Sequence, residues 1–343
     1  MNEQYGEIDF GYLSGIELWD VLQDPTVLDQ AQEYAATLRN ATMPDPQISV
    51  RKTIGLNEPG CSVDCGYCTL GRQYTNVSNK NALRPNLEED IDVQLRGLPA
   101  GVPVELVGYW YGINDVTSES FDRIEKLVQR LSQNHVVGAD LGIITEPRVL
   151  RRLKEAGLTY LHNHLETTRD DYHERIGKDP KRYDAKIETL RLANEVGLRM
   201  TSGILIGVGE TANDLDELTR ILSKFPLSRI MINFMDYSDS RISGRYADCK
   251  DQLTPEYALR VLTFLRLKLR PDQSLGVGSG VGSYLYSDET LPRVAKIVDT
   301  LHVGAFINLN PVHQGVNLFD RLNGIGYEIV EPNYFNQIRT SDV

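Results

Sequence analysis

The chain has 343 residues, 41% hydrophobic and 24% charged, enough apolar material for one large domain or two ordinary ones. A formal net charge of -12 argues against nucleic acid or anionic membrane as a partner, because phosphate binding needs surplus Lys and Arg. No apolar run approaches the length of a membrane span, and four cysteines are too few for a disulfide scaffold.

The opening "MNEQYGEIDF" is acidic and lacks the apolar stretch of a secretory signal, so a cytoplasmic, reducing location is expected. Next, "SGIELWDVLQDPTVLDQAQEYAATLRN" places apolar residues at helical spacing with a break at Asp24-Pro25, which predicts two helices. Residues 48–56, "ISVRKTIGL", alternate as a strand does and end just before a cysteine-rich loop. From there strand and helix patterns alternate. "VPVELVGYW" precedes a helix over 117–133, "VVGADLGII" one over 146–156, and "TYLHNHLET" one over 184–196. "RMTSGILIGVG" precedes 211–224, "RIMINFMDY" 254–269, "QSLGVGSGVG" 288–300, and "TLHVGAFINL" leads into 315–324. Eight such units predict an α/β fold, a closed (β/α)8 TIM-type barrel over 48–330. A helical N-terminal extension over 1–47 precedes it and a tail over 331–343 follows. An open doubly wound sheet is the competing architecture.

The loop after the first strand, "GCSVDCGYCTL" at 60–70, holds three of the four cysteines. A disulfide would leave an odd thiol and suits an oxidising compartment. A structural zinc would need a fourth ligand, from Cys249 or a histidine. The third reading is a [4Fe–4S] cluster on the thiolates of Cys61, Cys65 and Cys68, with one iron left open.

C-x3-C-x2-C with aromatic Tyr67 before the last cysteine resembles the cluster loop of radical S-adenosylmethionine (SAM) enzymes. The resemblance implies that SAM chelates the open iron and is split reductively into methionine and a 5′-deoxyadenosyl radical. It also implies a small-molecule substrate and an electron donor such as flavodoxin or ferredoxin.

If the barrel is right, functional groups collect at the C-terminal ends of the strands. After the fourth strand, "HNHLETT" alternates His162, His164 and Glu166, which a strand would place on one face. A single metal ion is one reading of this set and unassigned polar residues at a barrel mouth another. "YLHNHLETT" is similar to the fourth-strand segment of biotin synthase and lipoyl synthase, which implies that Glu166 accepts hydrogen bonds from the SAM ribose. The same resemblance puts His164 near substrate and nucleoside. After the fifth strand, "GILIGVGET" does not meet the dinucleotide pattern G-x-G-x-x-G at Gly203, Gly207 and Gly209. It resembles the family's G-x-I-x-G-x-x-E, with Leu205 replacing Ile, which implies that the Leu205 backbone meets adenine and that Glu210 braces the turn.

After the second strand stands "VGYWYG". Gly108 matches the first residue of the family's Gly-Gly-Glu, and Tyr109 and Trp110 depart from it. Tyr109, Trp110 and Tyr111 read as an apolar wall over the radical or as core. Lys186 stands where biotin synthase has an Arg, and reads either as the partner of the SAM carboxylate or as a solvated helix residue. Substrate contacts are expected from Asn233, Asp236, Tyr237, Asn308 and His313. The resemblance to the biotin synthase group, which includes methylornithine synthase and the [FeFe]-hydrogenase maturase, runs from about residue 15 to 325. It fails where biotin synthase ligates a second cluster: the corresponding positions are Leu106, Gly138 and Thr201. Hydrogen abstraction from a small molecule is therefore the leading expectation. Sulfur insertion or methylation with a partner protein is the alternative, as is a non-catalytic iron–sulfur scaffold.

Overall fold

The break at Asp24-Pro25 is a helix cap. In the computed structural model, Asp24 Oδ1 accepts from the Thr26 and Val27 N–H groups at 2.8 and 3.3 Å, and Pro25 opens α2 (Pro25–Arg39). The preceding α1 (Gly15–Val21) starts with a capping box between Ser14 and Glu17. The structure describes residues 8–56, 61, 63–68, 88–96, 98, 101–238, 240–278, 283–303 and 318–330. Among these, no helix is long and apolar enough to cross a membrane.

Eight parallel strands follow: β1 (Gln47–Gly55), β2 (Val104–Val107), β3 (Val137–Asp140), β4 (Leu158–His162), β5 (Arg199–Ile206), β6 (Leu227–Phe234), β7 (Ser274–Val277) and β8 (Thr300–Val303). They pair in chain order, and β1 closes the ring against both β8 (Ser49 beside Thr300) and β2 (Lys52 beside Val104). A two-residue strand, β9 (Glu328–Ile329), pairs with the first residues of β1. The expected (β/α)8 barrel is the observed fold.

The helices are α3 (Glu88–Leu95), α4 (Glu119–Leu131), α5 (Pro147–Glu155), α6 (Pro180–Glu195), α7 (Ala212–Ser223), α8 (Ser240–Arg245), α9 (Ala247–Lys250), α10 (Pro255–Lys268), α11 (Thr290–Ile297) and α12 (Leu318–Gly324). Burial follows the helical period. In α4, Phe121, Ile124, Leu127, Val128 and Leu131 face the barrel, and Ser118 caps the start. The N-terminal helices pack on the barrel's outer ring: α1 against α7, α2 against α10 and α11. Arg39 reaches from α2 to the Val298 carbonyl at 2.7 Å.

Several predicted boundaries move. The helix expected at 184–196 begins at Pro180, because Asp179 caps it and Pro180 fits its first turn. Lys186 therefore lies in its second turn. The helix expected to reach 300 stops at Ile297, where Val298 turns extended to enter β8. A π-helical turn (Tyr172–Ile176), α8, α9 and β9 were not foreseen. The predicted tail over 331–343 lies outside the described residues, as do Asn308 and His313.

Candidate active site

The cysteine loop leaves β1 at the C-terminal mouth of the barrel. Cys61, Cys65 and Cys68 are all free thiols. A tight turn brings the Cys68 N–H to the Cys65 carbonyl at 3.1 Å, and the Gly66 N–H is bound by the Ile176 carbonyl of the π-helical turn at 2.8 Å. The Arg245 guanidinium covers Gly66 so closely that a Cβ there would lie 2.5 Å from its Cζ. A side chain at 66 would have to displace the Arg245 guanidinium.

Tyr67 points from this loop to Glu166, its hydroxyl donating to Oε1 at 3.0 Å. The other oxygen, Oε2, accepts from the Tyr172 hydroxyl at 3.0 Å and from the Lys186 ammonium. Lys186 also donates to the His164 carbonyl at 2.5 Å. The pair is about 7% exposed at both side chains, so the solvated reading of Lys186 is wrong: the earlier helix start turns it inward. Among the described residues its ionic partner is Glu166. Burial alone would raise the Glu166 carboxyl, but the Lys186 charge and the donated hydrogen bonds outweigh it and hold Glu166 below its usual range. Burial pushes the Cys65 thiol up to about 12, with the Glu166 charge adding to it.

β4 stops at His162, so the three residues expected on one strand face leave the regular strand partway. Asn163 and Leu165 still donate to the Thr201 and Gly203 carbonyls, both at 3.0 Å, and Glu166 bridges to Ile204 with φ 69°. His162 and His164 stay adjacent, with ring centroids 5.6 Å apart. His162 Nδ1 meets the Thr201 hydroxyl at 2.8 Å, while His164 Nε2 has no partner among the described residues. Burial pushes His164 down to about 3 and His162 well below its ordinary value, so both rings are neutral. With Glu166 already holding three donors, the set does not form a single-ion site. Among the described residues no three His, Cys, Asp or Glu side chains are grouped to hold a metal ion.

Outside glycine, left-handed φ occurs among the described residues at Asp64 (51°), Tyr109 (51°) and Glu166 (69°). All three stand at this mouth, one after β1, one after β2 and one after β4. Each costs about 1–2 kcal/mol and persists only where packing forces it. Gly108 lets the β2 end approach β1: a Cβ there would lie 2.8 Å from Leu56 Cβ. Tyr109 is 2% exposed and belongs to the core, whereas Tyr111 is 48% exposed, so the expected aromatic wall divides.

Glu210 braces the turn after β5, its oxygens accepting from the Gly207 N–H at 3.0 and 2.9 Å, from the Val208 N–H at 3.0 Å and from Tyr257 at 2.9 Å. The Leu205 N–H is held by the Glu166 carbonyl at 2.7 Å. Tyr237 donates to the Gly207 carbonyl, so it serves this turn. Asn233 leans over Gly278 inside the barrel, and Asp236 accepts from the Ser238 N–H at 2.9 Å. Cys249 lies beside Gly209, where an added Cβ would meet its Sγ at 3.4 Å. The sequence reading missed Tyr172, which no periodicity marks.

The three thiols do not converge on a single ion, but three free thiols on one loop, tied through Tyr67 to a buried carboxylate, are the donor set of a cluster that takes one thiolate per iron. Residues 59–222 match the radical SAM superfamily. This chain carries a radical SAM domain. The chemistry such a domain supplies, with its [4Fe–4S] cluster and SAM bound, is reductive cleavage of SAM to methionine and a 5′-deoxyadenosyl radical. The radical SAM chain is 28% identical over 236 residues to a biotin synthase of Magnetococcus marinus, covering 67% of this chain and 69% of that protein. It is 24% identical over 243 residues to the biotin synthase of Persephonella marina, covering 70% and 69%. Among solved structures, methylornithine synthase superposes with a TM-score of 0.73 at 16% identity, over 95% of this chain and 97% of that one. The FeFe-hydrogenase maturase HydG from Carboxydothermus hydrogenoformans gives 0.70 at 15%, over 92% and 75%. These two likenesses establish the barrel.

Asp140, at the end of β3, yields a pH prediction. Burial pushes its carboxyl up to about 7, against the opposing Lys186 charge, from an ordinary value of 3.8. Between those values the folded state keeps a proton that the unfolded chain has released, so stability falls as pH rises from about 4 to 7. Asp140→Asn removes that contribution. Urea midpoints measured from pH 5 to 8 should show a flatter decline in the variant; identical slopes would reject the assignment.

Proposed function

We propose that this radical SAM enzyme abstracts hydrogen from a small molecule held inside the barrel, and that it does not insert sulfur. The observation that carries the reading is the link from Tyr67 of the cysteine loop to Glu166 at the end of β4. It joins the loop that would hold the cluster to the carboxylate that would hold the ribose. In this reading Tyr67, Gly108 and the backbone at Tyr109 and Leu205 surround the nucleoside, while Lys186 and Tyr172 fix the Glu166 carboxylate. Neutral His164, with its Nε2 unpartnered among the described residues, faces nucleoside and substrate. Asn233, which crosses to Gly278 inside the barrel, is a substrate contact in the same reading.

Support for hydrogen abstraction over sulfur insertion comes from the second-cluster positions. Gly138 is covered by the Tyr160 ring, Thr201 is bound to His162, and Leu106 is packed in the core. None offers a thiol, and Cys249 lies apart, beside Gly209. A reducing cytoplasm and a small protein donor such as flavodoxin or ferredoxin complete the proposal, in keeping with four free cysteines.

Anaerobic reconstitution followed by SAM and dithionite tests it. We expect about four irons per chain, as one [4Fe–4S] cluster requires, and release of 5′-deoxyadenosine. About eight irons with two cluster spectra would overturn the single-cluster reading. No deoxyadenosine from a loaded protein would overturn the catalytic one.

A further inference from the structure

Arg182 lies in the first turn of α6, two residues after Pro180. Its guanidinium reaches back to the loop after β2, where Nη2 donates to the Trp110 carbonyl at 2.7 Å. β2 is the neighbour of β1, the strand from which the cysteine loop leaves. Burial raises the Cys61 and Cys65 thiols, and the Arg182 charge acts on both in the opposite sense. The cation therefore stands within electrostatic reach of two of the three loop cysteines. Its Nε is buried with no hydrogen-bond partner among the described residues.

Other cations at this mouth are matched by carboxylates. Lys186 pairs with Glu166, and Arg175 pairs with Asp171 and Asp214. Arg182 forms no ion pair among the described residues; its hydrogen bond goes to a neutral carbonyl. A buried donor left unmade costs its desolvation, and so does a charge without a counter-charge. Holding the Trp110 carbonyl explains neither the orphaned Nε–H nor the unmatched charge. A cluster on the neighbouring thiolates answers both, because its sulfurs accept hydrogen bonds and it is anionic.

We propose that Arg182 sets the reduction potential of the cluster, raising it so that a small protein donor can deliver the electron that starts the reaction. This rests on the cluster of the proposed function. In the step concerned one electron passes from the reduced donor to the oxidised cluster, and no bond forms or breaks. The reduced cluster carries the larger negative charge, so a cation fixed beside it favours that state, the more so in a partly buried site of low polarity. Arg245, which covers Gly66 of the same loop, is exposed, so water and salt screen its charge. The two arginines should therefore differ in effect although each carries one charge.

The test is an EPR-monitored redox titration of the reconstituted protein without SAM, so that only the protein's own charges act. Arg182→Gln should lower the midpoint by about 59 mV, which is a tenfold change in the equilibrium constant of a one-electron couple. Arg182→Lys keeps the charge and should stay near wild type, and Arg245→Gln should shift by less than half as much as Arg182→Gln. An unchanged or raised midpoint in Arg182→Gln, an equal drop in Arg182→Lys, or an equal drop in Arg245→Gln would overturn the proposal. Should Arg182→Gln fail to load iron, Arg182→Met is read in the same way; failure of both, with Arg182→Lys loaded, would make the charge a requirement of assembly and overturn the proposal too. A wild-type protein that takes up no cluster sinks the functional reading along with this one, whereas loaded proteins with equal midpoints sink this inference alone.

Discussion

Cys65→Ala will give a folded barrel without its cluster and without SAM cleavage. The same holds for Cys61→Ala and Cys68→Ala, since each thiolate would serve its own iron and none has a substitute close by. Cys249 lies beside Gly209, in the turn after β5. The fold should survive because the loop's backbone bonds, from Gly66 to Ile176 and Cys68 to Cys65, do not use the thiols. Iron should fall from about four per chain to near zero, and deoxyadenosine with it. Cys249→Ala is the control and should keep both. A cluster-loaded Cys65→Ala protein, or a Cys249→Ala protein that loses activity, would contradict the assignment.

Glu166→Gln should weaken SAM binding by about tenfold or more. A hydrogen bond to a charged acceptor contributes about 1.5–3 kcal/mol, and about 1.4 kcal/mol is a factor of ten. The structure adds a second effect. Glu166 is the buried counter-charge of Lys186, and breaking a buried pair from one side costs about 3–5 kcal/mol. The variant should therefore also melt earlier, whereas Glu166→Gln combined with Lys186→Met should recover much of the stability without recovering SAM. Titrating SAM into both, at equal iron content, separates the two effects. Unchanged affinity in Glu166→Gln would remove Glu166 from the nucleoside site.

Alternation of strand and helix periods made the barrel legible, and the cysteine spacing with Tyr67 made the cluster loop legible. Glu166 was found from its place after β4. Arg182 was hidden because a helix expected from 184 leaves that residue in the connecting loop. Lys186 was left between two readings because Asp179 and Pro180 start its helix earlier than the apolar pattern suggests. Tyr172 sits in a π-helical turn, whose period no simple sequence pattern announces.

β1 is flanked by β8 and β9, which are made after the other barrel strands. On a ribosome, the strand that carries the cysteine loop emerges early and waits for roughly 250 further residues, about 12–50 s at 5–20 residues per second. Throughout that interval the nascent thiols lack the frame that would fix their spacing. Oxygen and stray metal have their best access then, and iron delivery has to follow synthesis rather than accompany it. Stalled nascent chains ending before Thr300 should accept no cluster from an iron–sulfur donor, while released full-length chains should; loading on the stalled chains would show that the loop organises itself without the closing strands.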